Sequence, residues 1–268
     1  SDPLDPDVSD VTVADGMVRL TVSLPKGEAK AFLQGKAYSF DFTAKDPGVV
    51  FSDDFSWLKA LIDEYNGKNS TPIGNAVTGY ADTDFAQASA ANAPNAYTAE
   101  PFKSKFATAL AAAGYTDLNA ANKVIYPQDC YLKFGKTSVH TSLQFSPFAE
   151  GPSAYADYEL SFDWCRHVQG TGKVDPVTLT VVIEGEGHFA NGTKYSAPLG
   201  TVQPYEEGVY STMGWNNSRV YIYGANPATK LNIVYTDCLD MVNGTYNWTV
   251  TGAHRYHIDN IKVSLKTG

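Results

Sequence analysis

Short segments in which apolar and polar residues alternate follow one another from Lys123 to the end of the chain, and no other feature constrains the fold as strongly. In one of them Leu160, Phe162 and Trp164 share a parity, which is the two-residue period of a half-buried strand. The segments recur at roughly 10 to 15 residues with turns between them, a spacing typical of antiparallel sandwiches. We therefore predict an all-β antiparallel sandwich of the jelly-roll kind, with one short helix and a few preceding strands.

The predicted helix lies in residues 99–115, where Phe102, Phe106 and Leu110 recur on one helical face. Residues 57–65 are a further candidate for a short helix, because apolar side chains recur there at helical spacing.

Residues 1–46 and 47–268 are interpreted as two parts of the chain. In the first part the Asp15-Gly16 dipeptide is a hairpin signal, followed by alternating apolar residues over 18–24. A few strands bury little core on their own, so this part is either the remnant of a small Ig-like module or a set of strands that pack on the main domain. The Gly- and Asn-rich stretch 66–99 is predicted to be a long loop.

The last predicted strand contains a break in its alternation. Tyr256 and Ile258 are apolar at even positions, whereas Ile261 and Val263 are apolar at odd positions. The parity therefore slips at the Asp259-Asn260 pair, and an inserted residue in a strand is the definition of a β-bulge. We predict a bulge there, with the carboxylate either at a cation site or anchoring a turn.

Composition excludes some classes of partner. The chain of 268 residues has a net charge of −9 and a pI of about 4.9, and it contains no basic run, which argues against a nucleic-acid partner. No stretch reaches the roughly 18 apolar residues of a membrane-spanning helix. Cys130, Cys165 and Cys238 fit no zinc spacing, so buried free thiols or one disulfide remain the alternatives.

A series of motifs then suggests a family. In chain order they read "FSDDFSWL", "AAGYTDLNAANKVIYPQDCYLKFGKTS", "YELSFDW", "LTVVIEGEG", "GANPATKLNI" and "RYHIDNIKV". Over residues 49–266 the chain resembles galactose-binding-like β-jelly-roll modules, which are similar to carbohydrate-binding modules. Such modules occur in surface lipoproteins of gut bacteria that process glycans. The resemblance implies an extracytoplasmic protein of a Gram-negative bacterium, secreted or lipid-tethered, that binds an oligo- or polysaccharide without catalysis.

The resemblance also implies a structural calcium ion. Related modules hold one between an acidic residue near the first strand and an Asp of the last strand, and the matching positions are Asp53, Asp54 and Asp259. Calcium prefers carboxylate and carbonyl oxygens of this kind. The alternative is that Asp259 accepts backbone N–H groups in a turn and that Asp53 and Asp54 are simply solvated.

Candidate ligand contacts follow from what a sugar requires. A pyranose needs an aromatic plane for its C–H face and polar groups for its hydroxyls. Two groups combine these features: Trp215, Asn216, Asn217, Arg219 and Tyr221 around one strand, and Trp164, Arg166 and His167 at the end of another. Trp164 also shares its parity with apolar neighbours, which favours a core position.

Two other functions remain open, and the first is a glycan-degrading enzyme, either a glycoside hydrolase or a lyase. Glu184 and Glu186 lie two residues apart, which on a strand would place both carboxylates on one face, about 7 Å apart and within range for glycoside hydrolysis. Such a pair also occurs on any solvated sheet face. The third alternative is a structural or adhesive module of a cell-surface assembly.

Overall fold

The computed structural model describes residues 48–67, 101–128, 130–152, 154–167, 174–200 and 215–266, together with the backbone of two N-terminal strands. The chain divides into two compact units, residues 1–44 and 45–268. In the first unit β1 (Asp7–Ala14) pairs antiparallel with β2 (Met17–Ser23), and Ala14 lies opposite Met17. This register confirms the predicted hairpin, since only two residues connect the strands. The predicted loop 66–99 lies outside the described residues beyond Gly67.

The second unit carries all the other described elements. In chain order they are β3 (Val49–Asp53), α1 (Leu58–Asn66), α2 (Phe102–Ala112), β4 (Thr116–Asp117), β5 (Ile125–Pro127), β6 (Leu132–Phe134), β7 (Leu143–Phe145), β8 (Ala156–Arg166), β9 (Leu179–Glu184), β10 (Asn216–Ala225), β11 (Lys230–Tyr235), β12 (Leu239–Asp240), β13 (Thr245–Tyr246) and β14 (Tyr256–Leu265). Short 3₁₀ turns cover Ala120–Asn122 and Thr236–Cys238.

Two antiparallel sheets form the sandwich. The first has the order β10-β8-β14-β6-β5, with β3 also paired to β14, and the second has the order β4-β7-β11-β9. Leu160, Phe162 and Trp164 of β8 share one buried core with Ile233 of β11 and Val181 of β9. Alternate residues of both sheets thus face the same interior, which confirms the predicted all-β antiparallel sandwich.

Two helices are present among the described residues, so the prediction of one short helix is corrected. Phe102, Phe106 and Leu110 of α2 are buried as predicted. In α1 the residues Leu58, Ile62 and Tyr65 are buried, and their spacing of four and three places them on one helical face. Tyr65 contacts Phe102 with ring centroids 4.6 Å apart, so the two helices cover the core together.

The last strand has the predicted bulge. The register between β14 and β8 shifts between Asp259 and Lys262, and Asn260 has a φ of 49°. Burial moves from Tyr256 and Ile258 before the shift to Ile261 and Val263 after it. Because β3 also pairs with β14, with Asp53 opposite Ile261, the beginning and the end of the second unit are neighbouring strands.

Two of the three cysteines, Cys165 and Cys238, are free thiols. Cys165 and Cys238 are buried and Cys130 is half-buried. Within the described part of the chain, no helix is long and apolar enough to cross a membrane.

Candidate ligand-binding face

Strand β10 separates the predicted contacts into two groups. Val220 and Ile222 point into the core, so the residues of opposite parity face outward. We call this outward row, composed of Trp215, Asn217, Arg219 and Tyr221, the β10 face. Asn217, Arg219 and Tyr221 are exposed, and Trp215 is half-buried.

The polar groups of the β10 face are held by hydrogen bonds to β8. Asn217 Nδ2 donates to Asp163 Oδ1 at 2.9 Å, and Arg219 Nε donates to Asn217 Oδ1 at 3.1 Å. Arg219 Nη1 also lies 3.3 Å from Glu159 Oε1, although its side chain is 63% exposed. The guanidinium and the amide are therefore oriented while they remain accessible to a ligand.

Trp215 lies against two buried rings, one on β14 and one just before β6. Its ring contacts Tyr131 edge-to-face at a centroid distance of 5.2 Å and His257 at 6.4 Å. Tyr131 and His257 are almost fully buried, so they form a fixed support beneath the half-buried indole. An aromatic ring held in this way loses little conformational entropy when a ligand stacks on it.

The remaining predicted contacts lie elsewhere. Trp164 is fully buried and donates its Nε1–H to Ser218 Oγ at 2.9 Å, which corrects its prediction as a ligand contact. Asn216 lies opposite Trp164 in the register and shares its inward parity, and so does Arg166, two residues along β8. His167 has the outward parity but is buried. Parity along the two strands separates Trp164, Asn216 and Arg166 from the exposed row, and burial separates His167 from it.

A buried basic group beside Trp215 was not predicted from the sequence. His167 Nδ1 lies 3.3 Å from His257 Nε2, and Lys133 Nζ lies 4.4 Å from the centre of the Tyr126 ring. Burial, assisted by the nearby charge of Arg255, lowers the pKa of Lys133 to about 8. Burial also lowers the pKa of both imidazoles, which are therefore neutral at pH 7.

The three predicted calcium ligands each accept hydrogen bonds within the protein. Asp53 accepts the Phe55 N–H and the Tyr115 hydroxyl, both at 2.7 Å. Asp54 Oδ1 accepts the Ser56 N–H, and Asp259 Oδ1 accepts the N–H of Asn260. No three acidic, His or Cys side chains of the described residues converge to hold a metal ion. Calcium also takes backbone carbonyl and water oxygens, so neither observation tests the implied ion and calcium remains a prediction.

The charge around Asp259 makes a testable prediction about pH. Burial and the neighbouring carboxylates Asp163, Asp54 and Asp53 raise the pKa of Asp259 from 3.8 to about 7. The folded state then binds this proton more tightly than the unfolded state, so the free energy of unfolding should fall as the pH rises from about 4 to about 7. Asp259→Asn should remove this decrease and raise stability at pH 8, as measured by urea unfolding across the pH range.

A matched variant and a metal titration complete this test. Asp157→Asn makes the same chemical change at a carboxylate that accepts the Gly224 N–H, and it should leave the pH slope unchanged. An unaltered slope in Asp259→Asn would contradict the prediction. A rise in melting temperature with added CaCl₂ that disappears in Asp259→Asn, but not in Asp157→Asn, would support the calcium site.

The predicted carboxylate pair is not on one strand. Strand β9 ends at Glu184, and Gly185 and Gly187 follow with φ angles of 90° and 97°, so Glu186 lies in a turn. The prediction that both carboxylates share a strand face is therefore wrong. Glu184 is instead held by two amides: Gln144 Nε2 donates to it at 2.7 Å and Asn232 Nδ2 at 2.8 Å.

Comparisons with known proteins give matches to solved structures alone, because no protein-family model and no curated protein matches the chain. The CBM22-1 xylan-binding domain of Paenibacillus barcinonensis Xyn10C is 16% identical with a TM-score of 0.32, over 58% of this chain and 87% of that one. CBM35 from Paenibacillus barcinonensis is 18% identical with a TM-score of 0.27, over 53% and 82%.

A third match is the K3 cleaved adhesin domain of Lys-gingipain from Porphyromonas gingivalis, 9% identical with a TM-score of 0.31, over 56% of this chain and 91% of that one. At these identities and TM-scores the matches carry no argument about ligand or activity. The strand pairing of this chain therefore defines its fold class, which is an antiparallel β-sandwich.

Proposed function

We propose that the chain binds an oligo- or polysaccharide without catalysis at the β10 face. The observation that carries the proposal is the half-buried Trp215 ring at one end of a row whose amide and guanidinium are already oriented. The indole offers a plane for the C–H face of a pyranose, while Asn217 and Arg219 offer hydrogen bonds to its hydroxyls. Preorganised groups lower the entropy cost of binding, which suits a module that only binds.

The proposal includes the location that the resemblance implies. A protein with this role acts outside the cytoplasm, either secreted or held at the cell surface by a lipid. Digestion by an external protease in intact cells would support this location, and full protection in intact cells would contradict it.

Binding is tested with a panel of soluble glycans. The panel contains β-1,4-linked hexasaccharides of glucose, xylose, mannose and galactose, a galacturonic acid hexamer, and a wider printed glycan array. We expect retention of at least one glycan with no release of reducing sugar. Trp215→Ala should weaken that binding about tenfold or more, which corresponds to about 1.4 kcal/mol.

Tyr155→Ala is the matched control, because Tyr155 is an aromatic residue that is 65% exposed outside the β10 face. It should bind as the unaltered chain does. Equal binding by Trp215→Ala and Tyr155→Ala would contradict the assignment of the face. Release of reducing sugar would contradict non-catalytic binding.

A further inference from the structure

The outer side of the second sheet carries a continuous row of side chains. The register places Gln144 of β7 beside Asn232 of β11, and Asn232 beside Val182 of β9. Tyr195 extends the row, because its backbone forms a bridge to Val182. Since neighbours in a register share a face, these four side chains lie in line across the sheet.

A carboxylate lies beside this row on the same face, because Glu184 follows Val182 by two residues on β9. Glu184 accepts hydrogen bonds from Gln144 at 2.7 Å and from Asn232 at 2.8 Å, one to each oxygen. Each carboxylate oxygen has a second lone pair that these two bonds leave for another donor. Gln144 and Glu184 are half-buried, so the group is fixed while part of it stays accessible.

Two stacked aromatic rings border the carboxylate. The rings of Tyr246 and Trp248 are 4.8 Å apart and 12° from parallel, and both residues are half-buried. Asn232 Nδ2 donates to the Tyr246 hydroxyl at 2.8 Å, and the Trp248 carbonyl accepts the His140 N–H at 2.9 Å. The Tyr246 side chain is therefore anchored to β11, and the Trp248 backbone to the segment that precedes β7.

One acceptor in this group has no partner. Asn232 is fully buried and uses its Nδ2 for both of its hydrogen bonds, which leaves Oδ1 unsatisfied among the described residues. An unpaired buried polar atom costs roughly 1–3 kcal/mol, so it is usually found where a ligand or a water completes the bonding. Because Asn232 Oδ1 has no accessible surface, its partner is a buried water rather than a sugar, and the accessible polar side chains of this group are Gln144 and Glu184.

We infer that this surface is a second carbohydrate-binding site that takes neutral pyranosides. We call it the β11 face, and it is formed by Gln144, Glu184, Asn232, Tyr246 and Trp248. The inference rests on the proposed function, because it assigns a second site to the same activity. The fixed carboxylate accepts sugar hydroxyls and repels anionic sugars, which sets the ligand class. The stacked pair supplies the aromatic plane.

The experiment separates the two faces by stoichiometry. Isothermal titration with the tightest-binding neutral hexasaccharide of the panel should give two sites for the unaltered chain. Trp215→Ala and Glu184→Gln should each leave one site, and the double variant should leave none. Glu64→Gln is the matched control, because Glu64 is a carboxylate on α1 that pairs with Lys105 at 2.6 Å; it should keep both sites.

Each outcome tests the second site, the proposed function or both. If Trp215→Ala abolishes all binding and Glu184→Gln changes nothing, the second site is overturned and the proposed function stands. If the unaltered chain binds no glycan, both fall. Binding of the galacturonic acid hexamer that survives Trp215→Ala and is lost in Glu184→Gln would overturn the neutral ligand class. Thermal melting of Glu184→Gln within a few degrees of the unaltered chain excludes unfolding as the cause.

Discussion

Replacing Asp175 by alanine should lower the free energy of unfolding by about 3–5 kcal/mol, the cost of leaving the other half of a buried ion pair without its partner. Asp175 is fully buried, and its Oδ2 accepts the Arg255 Nε–H at 2.6 Å while Oδ1 accepts Nη2–H at 3.1 Å. The Arg255 side chain is only 17% exposed, so water does not replace the lost carboxylate. Urea unfolding at pH 7 measures the change.

The more exposed pair formed by Glu159 of β8 and Arg219 of β10 provides the control. Glu159→Ala removes the carboxylate 3.3 Å from Arg219, whose side chain is 63% exposed, and should cost about 1 kcal/mol or less. Losses of equal size in Asp175→Ala and Glu159→Ala would show that burial does not set the strength of the Asp175–Arg255 pair.

Replacing Trp164 by alanine should cost about 3–5 kcal/mol of stability, because it empties the volume of a fully buried indole. It also leaves Ser218 Oγ without the Nε1–H donor. Equilibrium unfolding in urea checks the value, and the slope with denaturant should stay unchanged if the fold is retained.

Trp215→Ala is the informative comparison, because it removes the same side chain from a half-buried position. We expect a stability loss of about 1 kcal/mol, with the loss of glycan binding described above. The two variants thus separate a structural indole from a binding one. A larger loss of stability for Trp215→Ala than for Trp164→Ala would reverse the roles assigned to the two residues.

Local patterns predicted much of the fold. Alternation at Leu160, Phe162 and Trp164 indicated a strand with one buried face, and all three residues are buried. The parity slip at Asp259-Asn260 predicted the bulge, because the side-chain period of a strand is two and an inserted residue shows directly in the sequence. For the same reason the face of the β10 row was predictable once Val220 and Ile222 were taken as core.

Contacts between distant strands were not predictable. The Asp175–Arg255 pair joins residues 80 positions apart, and Glu184 meets Gln144 and Asn232 across 40 and 48 positions. Such pairs depend on strand order and register, which alternation leaves undetermined. Trp164 and Arg166 were grouped with His167 for a related reason, since nearness in sequence was used where parity places them on opposite sides of the sheet.

The position of β14 has a consequence for how the chain acquires its structure. This strand pairs with β3, β6 and β8, although it is the last of the described strands. During synthesis β8 and β6 would therefore wait with open edges until residues 256–265 leave the ribosome, and such edges invite pairing with other chains. Contacts between sequence-distant strands also slow folding, so newly made chains should depend on chaperones until this last strand inserts.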